Sequence, residues 1–147
     1  LLSMYGGKLT TYRKLAEQVV DMLAPALGHA SNAWTAATPL PGGDMPDADF
    51  EGFLARMRVR YDWLAPTLLH RYARAYGTRM DRMLAGCSRV TDLGEEVLPG
   101  LYAKEVHYLR AAEFARTAQD ILYRRSKLGV RLAADSEKTL DQWLAQH

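Results

Sequence analysis

The sequence predicts a mainly α fold: a helical bundle over residues 47–147, preceded by a short strand, a Gly-Gly turn and a helix. Three observations lead there. Apolar residues recur at helical spacing in almost every segment. The two-residue alternation of a half-buried strand is absent beyond the first few positions. Glycine and proline mostly fall at the ends of the periodic runs, where helices stop.

Leu1 to Tyr5 are largely apolar and are expected to finish a buried strand. Gly6 and Gly7 permit a turn with positive φ. Thr10 or Thr11 can cap the helix that follows. Tyr12, Leu15, Ala16, Val19, Leu23 and Leu27 stand at offsets 0, 3, 4, 7, 11 and 15, one face of an α-helix. Pro25 removes a hydrogen bond, so the helix is expected to end or kink there, with Gly28 as the stop. Residues 28–46 read as a linker, carrying Pro39, Pro41, Gly42, Gly43, Asp44 and Pro46. Its 19 residues are long for a connection inside one compact domain, and separate residues 1–27 from 47–147.

Beyond the linker the period is helical. Phe50, Phe53, Leu54, Met57, Tyr61 and Leu64 form one stripe, with Asp47 or Asp49 as its cap. Pro66 suits a first helical turn, Leu68, Leu69, Tyr72, Ala73 and Tyr76 continue the apolar face, and Gly77 stops it. Thr78 and Asp81 resemble a capping box for a short helix bearing Met80, Met83 and Leu84 and ended by Gly86. Cys87 to Gly100 reads as a second loop. Tyr102, Val106, Leu109 and Ala112 mark the next helix, and Ala118, Ile121 and Leu122 another, ended near Gly129. Asp135 or Ser136 caps the last, with Leu140, Trp143 and Leu144 facing inward.

Composition narrows the function classes. The chain has 147 residues, 48% hydrophobic and 24% charged, as expected of a globular domain rather than a disordered or collagenous chain. Nineteen basic against 17 acidic residues leave a net charge of +2, no general case for nucleic acid. The lone Cys87 excludes an internal disulfide and a cysteine-rich zinc site, and a reducing, cytoplasmic setting fits best. No run approaches the ~20 apolar residues of a transmembrane helix. The opening Leu1-Leu2-Ser3-Met4 has neither an initiator Met nor the features of a signal peptide, so the chain is expected to be cut from the C-terminal side of a longer protein.

Gly6-Gly7-Lys8-Leu9-Thr10-Thr11-Tyr12-Arg13 is the most informative segment. A glycine turn followed by a helix start can hold backbone N–H groups against an anion, and Lys8 adds a full charge there. The plainer reading is a turn that merely begins a helix. The basic run Arg124-Arg125-Ser126-Lys127 reads either as a solvated helix end or as a contact with another domain or with anionic lipid. Arg125 follows Ile121 and Leu122 by four and three residues, so its stem is expected to be partly buried and its guanidinium paired within the bundle or with a helix C-terminus, with Arg124 and Lys127 exposed. His29, His70, His107 and His147 lack the spacing of a metal site, and no metal is expected. Asp92, Glu95 and Glu96 read as capping residues before they read as paired catalytic carboxylates, and Cys87 as inert.

Gly6-Gly7-Lys8-Leu9-Thr10-Thr11-Tyr12-Arg13-Lys14-Leu15-Ala16-Glu17 closely resembles the C-terminal flavin motif of the FAD-dependent glycerol-3-phosphate dehydrogenases. Trp34-Thr35, Leu40-Pro41-Gly42-Gly43 and His70 to Gly77 are similar to that family too, as are Val90 to Glu95 and Arg124 to Gly129. The resemblance runs in order along nearly the whole chain. It implies that residues 1–27 are the tail of an FAD-binding domain and 47–147 an α-helical cap domain. It implies FAD as cofactor, with Gly6, Gly7, Lys8, Leu9 and Thr10 at the pyrimidine end of the flavin. Lys8 is equally a candidate for the phosphate of glycerol 3-phosphate. The family's reaction is oxidation of glycerol 3-phosphate to dihydroxyacetone phosphate with quinone as acceptor, oxygen in a close variant.

The G-x-G-x-x-G dinucleotide fingerprint is absent from these residues, so this stretch alone is expected to bind no FAD and to contain no catalytic residue. The implied partners are upstream FAD and substrate domains of the same chain, glycerol 3-phosphate and quinone, with no nucleic acid and a homo-oligomer left open. The implied location is cytoplasmic, peripheral to the cytoplasmic membrane. The rival expectation is a non-enzymatic helical module binding a protein, a membrane surface or nucleic acid through its basic faces.

Overall fold

A computed structural model of the chain describes residues 1–5, 7–29 and 32–147. The mainly α class holds. The chain divides into two compact units, Leu1–Leu40 and Pro41–His147.

In the first unit, Leu1 to Tyr5 form no strand, and Leu1, Met4 and Tyr5 are exposed. A strand needs a partner's hydrogen-bonding edge, and the described residues of this unit offer none. A 3₁₀ turn over Leu9–Thr11 leads into α1, Tyr12–Leu23, followed by a second 3₁₀ turn, Ala24–Leu27. Pro25 sits in the first turn of that segment, and Gly28 ends it in the left-handed region at φ 67°, where glycine carries no Cβ penalty. Tyr12 and Leu23 of the apolar stripe are exposed, and so are Val20, Met22 and Leu27.

The second unit holds the core. α2 spans Phe50–Arg60, and Asp49 is its cap, accepting from the Gly52 N–H at 2.9 Å. Asp47 instead lies at φ 55° in the preceding turn. α3 spans Pro66–Tyr76 and starts on its proline. Gly77, at φ 53° and ψ −136°, stops it. A Cβ on Gly77 would collide with the Gly42 carbonyl oxygen, which accepts from the Thr78 N–H at 3.0 Å. Residues 41–46 are therefore held against the end of α3, with Met45 packed on the core. α4 is a single turn, Met80–Met83. The expected capping box fails there: Asp81 accepts from Arg60 at 2.7 Å and from the Tyr61 hydroxyl at 2.6 Å, tying α4 to the end of α2.

The stretch Cys87 to Gly100, expected to be loop, contains β1, Glu96–Leu98, paired antiparallel with β2, Leu101–Tyr102. Pro99 and Gly100 make the connection, with Gly100 at φ 76°, the arrangement of a Pro-Gly turn. Leu98 and Leu101 enter the core. The strands are too short for alternation to show, although Leu-Pro-Gly-Leu carries the turn signal. α5 spans Ala103–Ala112. Asp120 accepts from the N–H groups of Arg116 and Thr117 at 2.9 and 3.0 Å, starting a helical segment that passes into a π-helix over Asp120–Arg125. α6 spans Ser136–Leu144. Leu54, Leu69, Tyr72, Met80, Leu109, Ile121, Leu122 and Leu140 meet in the centre.

Candidate functional site

The glycine turn of the first unit builds a small cationic head on α1. Gly7 takes φ 115°, and a Cβ there would press to 3.1 Å from Leu15 Cδ2. Lys8 is extended and exposed. Thr11 does not cap the helix; its hydroxyl and its N–H both donate to the Lys8 carbonyl, at 2.9 and 3.0 Å. The N–H groups of Leu9 and Thr10 therefore stand ahead of the helical ladder, where the helix dipole is positive. Gly7, Lys8, Leu9 and Thr10 are contiguous and exposed; Gly6 lies outside the described residues.

About two turns further on, Glu17 is buried and gathers the neighbouring charges. It accepts from Arg13 at 2.8 Å, Lys14 at 2.9 Å and the Thr35 hydroxyl. The Thr35 hydrogen bond, then that of Lys14, holds its carboxyl below the usual range. Arg13 and Lys14 are thus paired, and no carboxylate among the described residues pairs with Lys8. Arg13 also donates to the Thr35 hydroxyl at 3.3 Å, so Arg13 and Glu17 together tie Thr35 to α1.

The second unit contains a buried ionic network that sequence reasoning missed. Glu105 of α5 has no exposed surface, yet accepts from Arg71 of α3 at 2.7 and 2.6 Å and from the Tyr76 hydroxyl. Arg71 also donates to the Gly100 carbonyl, so one guanidinium joins α3, α5 and the hairpin turn. Burial works against its charge, but the hydrogen bonds and charge of Glu105 raise its pKa above the ordinary arginine value. Burial, then the charge of Glu105, pushes both Tyr72 and Tyr76 upward. The Tyr72 hydroxyl is buried with no hydrogen-bond partner. A signal was available: Glu105 falls on the helical stripe of Tyr102 and Leu109, where an acid has no solvent.

The remaining candidates scatter. Asp92 accepts from the N–H groups of Ser88 and Arg89 at 2.8 and 3.1 Å, a turn-capping role that keeps its carboxyl below the usual range. Glu95 accepts from Trp143 Nε1 at 2.8 Å and Glu96 from the Gly100 N–H at 2.7 Å, so neither caps a helix nor forms an acid–base pair. His70 meets Phe50 edge-on, and His147 stacks on Trp143 at 4.1 Å. Among the described residues, no three metal-ligating side chains converge. Arg125 is exposed, not partly buried, because the π-helix rotates it off the Ile121–Leu122 face. Its Nε donates at 2.6 Å to the Glu113 carbonyl at the end of α5. Arg124 pairs with Asp120 at 2.9 Å and Lys127 with the Tyr123 carbonyl at 2.6 Å; both are exposed, as expected.

The chain is 49% identical over 144 residues to a glycerol-3-phosphate dehydrogenase of Pseudomonas aeruginosa, covering 98% of this chain and 28% of that protein. It is 42% identical over 147 residues to the aerobic glycerol-3-phosphate dehydrogenase of Escherichia coli K12, 100% of this chain and 29% of the relative. A D-erythritol 1-phosphate dehydrogenase of Brucella abortus is 39% identical over 143 residues, 97% of this chain and 28% of the relative. The chain thus spans under a third of the length of these relatives. Residues 33–145 match the family described as the C-terminal domain of alpha-glycerophosphate oxidase, and the chain belongs to that family.

Proposed function

We propose that this chain serves as the C-terminal region of a flavin-dependent dehydrogenase that oxidises glycerol 3-phosphate to dihydroxyacetone phosphate. Residues 1–27 would be the tail of its FAD-binding domain, 28–46 a linker and 47–147 the helical cap. The observation that carries this reading is the match along 97–100% of the chain to dehydrogenases named for two phosphorylated polyols. The exposed apolar side chains of α1 support it, since a neighbouring domain would cover them.

The turn at Gly7 fits FAD chemically. A glycine at positive φ admits close approach, and Leu9 and Thr10 present N–H donors beside the Lys8 charge. FAD, when bound, supplies the acceptor for the substrate hydride, and its electrons would pass to quinone at the face of the cytoplasmic membrane. Lys8, with the helix dipole behind it, stabilises negative charge, either that which develops at the pyrimidine edge or that of the substrate phosphate. Glu17 takes no part in that chemistry; by pairing Arg13 and Lys14 it holds the head of α1 in place.

A chimera tests the proposal. The matched segment of the Escherichia coli relative is replaced by this chain, and acceptor reduction with glycerol 3-phosphate is followed. Activity within about tenfold of the parent supports the reading. A folded, flavin-loaded chimera without glycerol 3-phosphate-dependent reduction overturns it.

A further inference from the structure

A cleft in the second unit collects positive charge, and Arg71 alone of its lining cations has a carboxylate partner among the described residues. It has a volume of about 610 Å³ and lies between α3 and the chain that follows the π-helix. Arg71, Arg74, Arg125, Lys127 and Arg131 line it with His70, and no carboxylate does. The whole chain carries a net charge of only +2, so five cations in one concavity are a concentration, not a sample of the surface.

Four of the five cations are also ordered in advance. Glu105 and the Gly100 carbonyl hold Arg71 from behind. Arg74 lies over the Phe50 ring at 4.8 Å. Arg125 is fixed through Nε to the Glu113 carbonyl, which leaves both terminal amino groups free. Lys127 spends one of its three N–H bonds on the Tyr123 carbonyl and is set by a left-handed backbone at φ 60°. Arg131 has no carboxylate partner among the described residues. Forked donors held in place suit an anion with several acceptor oxygens, and a concavity of this size suits a small molecule better than a flat bilayer.

We propose that this cleft, lined by residues of the second unit alone, binds a soluble phosphoryl compound, a phosphate monoester or a diphosphate. The proposal rests on the second unit alone and does not depend on the enzymatic reading. Titrate the 147-residue chain with inorganic pyrophosphate and with glycerol 3-phosphate, by calorimetry and by thermal melting, with sodium chloride at matched ionic strength as the reference. Vesicles of phosphatidylglycerol and phosphatidylcholine form a second arm, because lipid headgroups share the phosphoryl chemistry. Saturable one-site binding of either soluble probe is expected, with a melting rise beyond that in chloride. Lys127→Asn with Arg131→Gln should weaken it at least tenfold without lowering the melting temperature of the unliganded chain, since Asn tolerates the left-handed turn and less like-charge repulsion remains. Arg131→Lys, which keeps the charge, should recover part of the affinity. A response no larger than that to chloride, binding untouched by the double substitution, or binding to vesicles alone would overturn the proposal.

Discussion

Removing the Glu105 carboxylate should be among the most damaging single changes in the second unit. The group has no exposed surface and satisfies Arg71 twice, at 2.7 and 2.6 Å, and the Tyr76 hydroxyl once. Glu105→Ala strands a guanidinium whose side chain is only 21% exposed, keeping just the Gly100 carbonyl as partner. It also leaves Tyr76 without its acceptor, beside a Tyr72 hydroxyl that already has none. Breaking a buried pair from one side costs about 3–5 kcal/mol, against roughly 5–15 kcal/mol for the stability of a whole domain. At roughly 4 °C per kcal/mol for a domain of this size, melting should fall by about 12–20 °C. Arg71→Met with Glu105→Met leaves no uncompensated charge, so the pair should lose at least ~2 kcal/mol less than the sum of the two single changes. Urea unfolding, followed by tryptophan fluorescence, is measured for Glu105→Ala and for the four proteins of the methionine cycle: the wild type, the two single changes and the double. A Glu105→Ala loss below ~1 kcal/mol, or single changes that simply add, would refute the assignment of this pair as the tie between α3, α5 and the hairpin.

Gly77→Ala should cost about 3 kcal/mol, because its backbone region is all but closed to side chains and a Cβ would meet the Gly42 carbonyl; Gly86→Ala, at φ 79° with open space around it, should cost clearly less in the same denaturation assay. Backbone hydrogen bonds from Arg116 and Thr117 bring the Asp120 carboxyl down to about 2 from its ordinary 3.8, so it stabilises the fold above pH ~4 and ceases to as pH falls through about 2. The melting gap between wild type and Asp120→Asn should therefore be full at neutral pH and narrow between pH ~4 and 2, and a gap that widens on acidification would contradict this. In the chimeric enzyme, Lys8→Ala should lower turnover roughly 100-fold, the usual effect of losing one preorganised electrostatic contact, while leaving the melting temperature of the chain nearly unchanged because Lys8 is exposed; turnover within twofold of the parent would make Lys8 an ordinary turn residue.

The sequence by itself determined what is settled within a turn or two of chain. Gly28 and Gly77 mark real helix ends, Asp49 is a real cap and Pro66 a real first turn, because capping and backbone preferences act over three or four residues. The ordered run of short motifs pointed to the family for a similar reason: each motif is a contiguous stretch that is read without knowing what it packs against. Only the tertiary structure decided which charges meet. Arg71 and Glu105 lie 34 residues apart and Trp143 and Glu95 48 apart, and neither pairing has a local cause. It brought Thr35 to Glu17, eighteen residues away in the chain, whereas the pairs of Glu17 with Arg13 and Lys14 follow from helical spacing alone. It turned Arg125 outward, because a π-helix breaks the 3.6-residue phase from which burial was expected. It also brought Arg71 and Arg74 of α3 opposite Arg125, Lys127 and Arg131, separated by some fifty residues of chain. Local propensity selects elements, but burial assigns partners: a charge inside the core must find its counter-charge wherever packing puts one, and sequence distance does not enter that requirement.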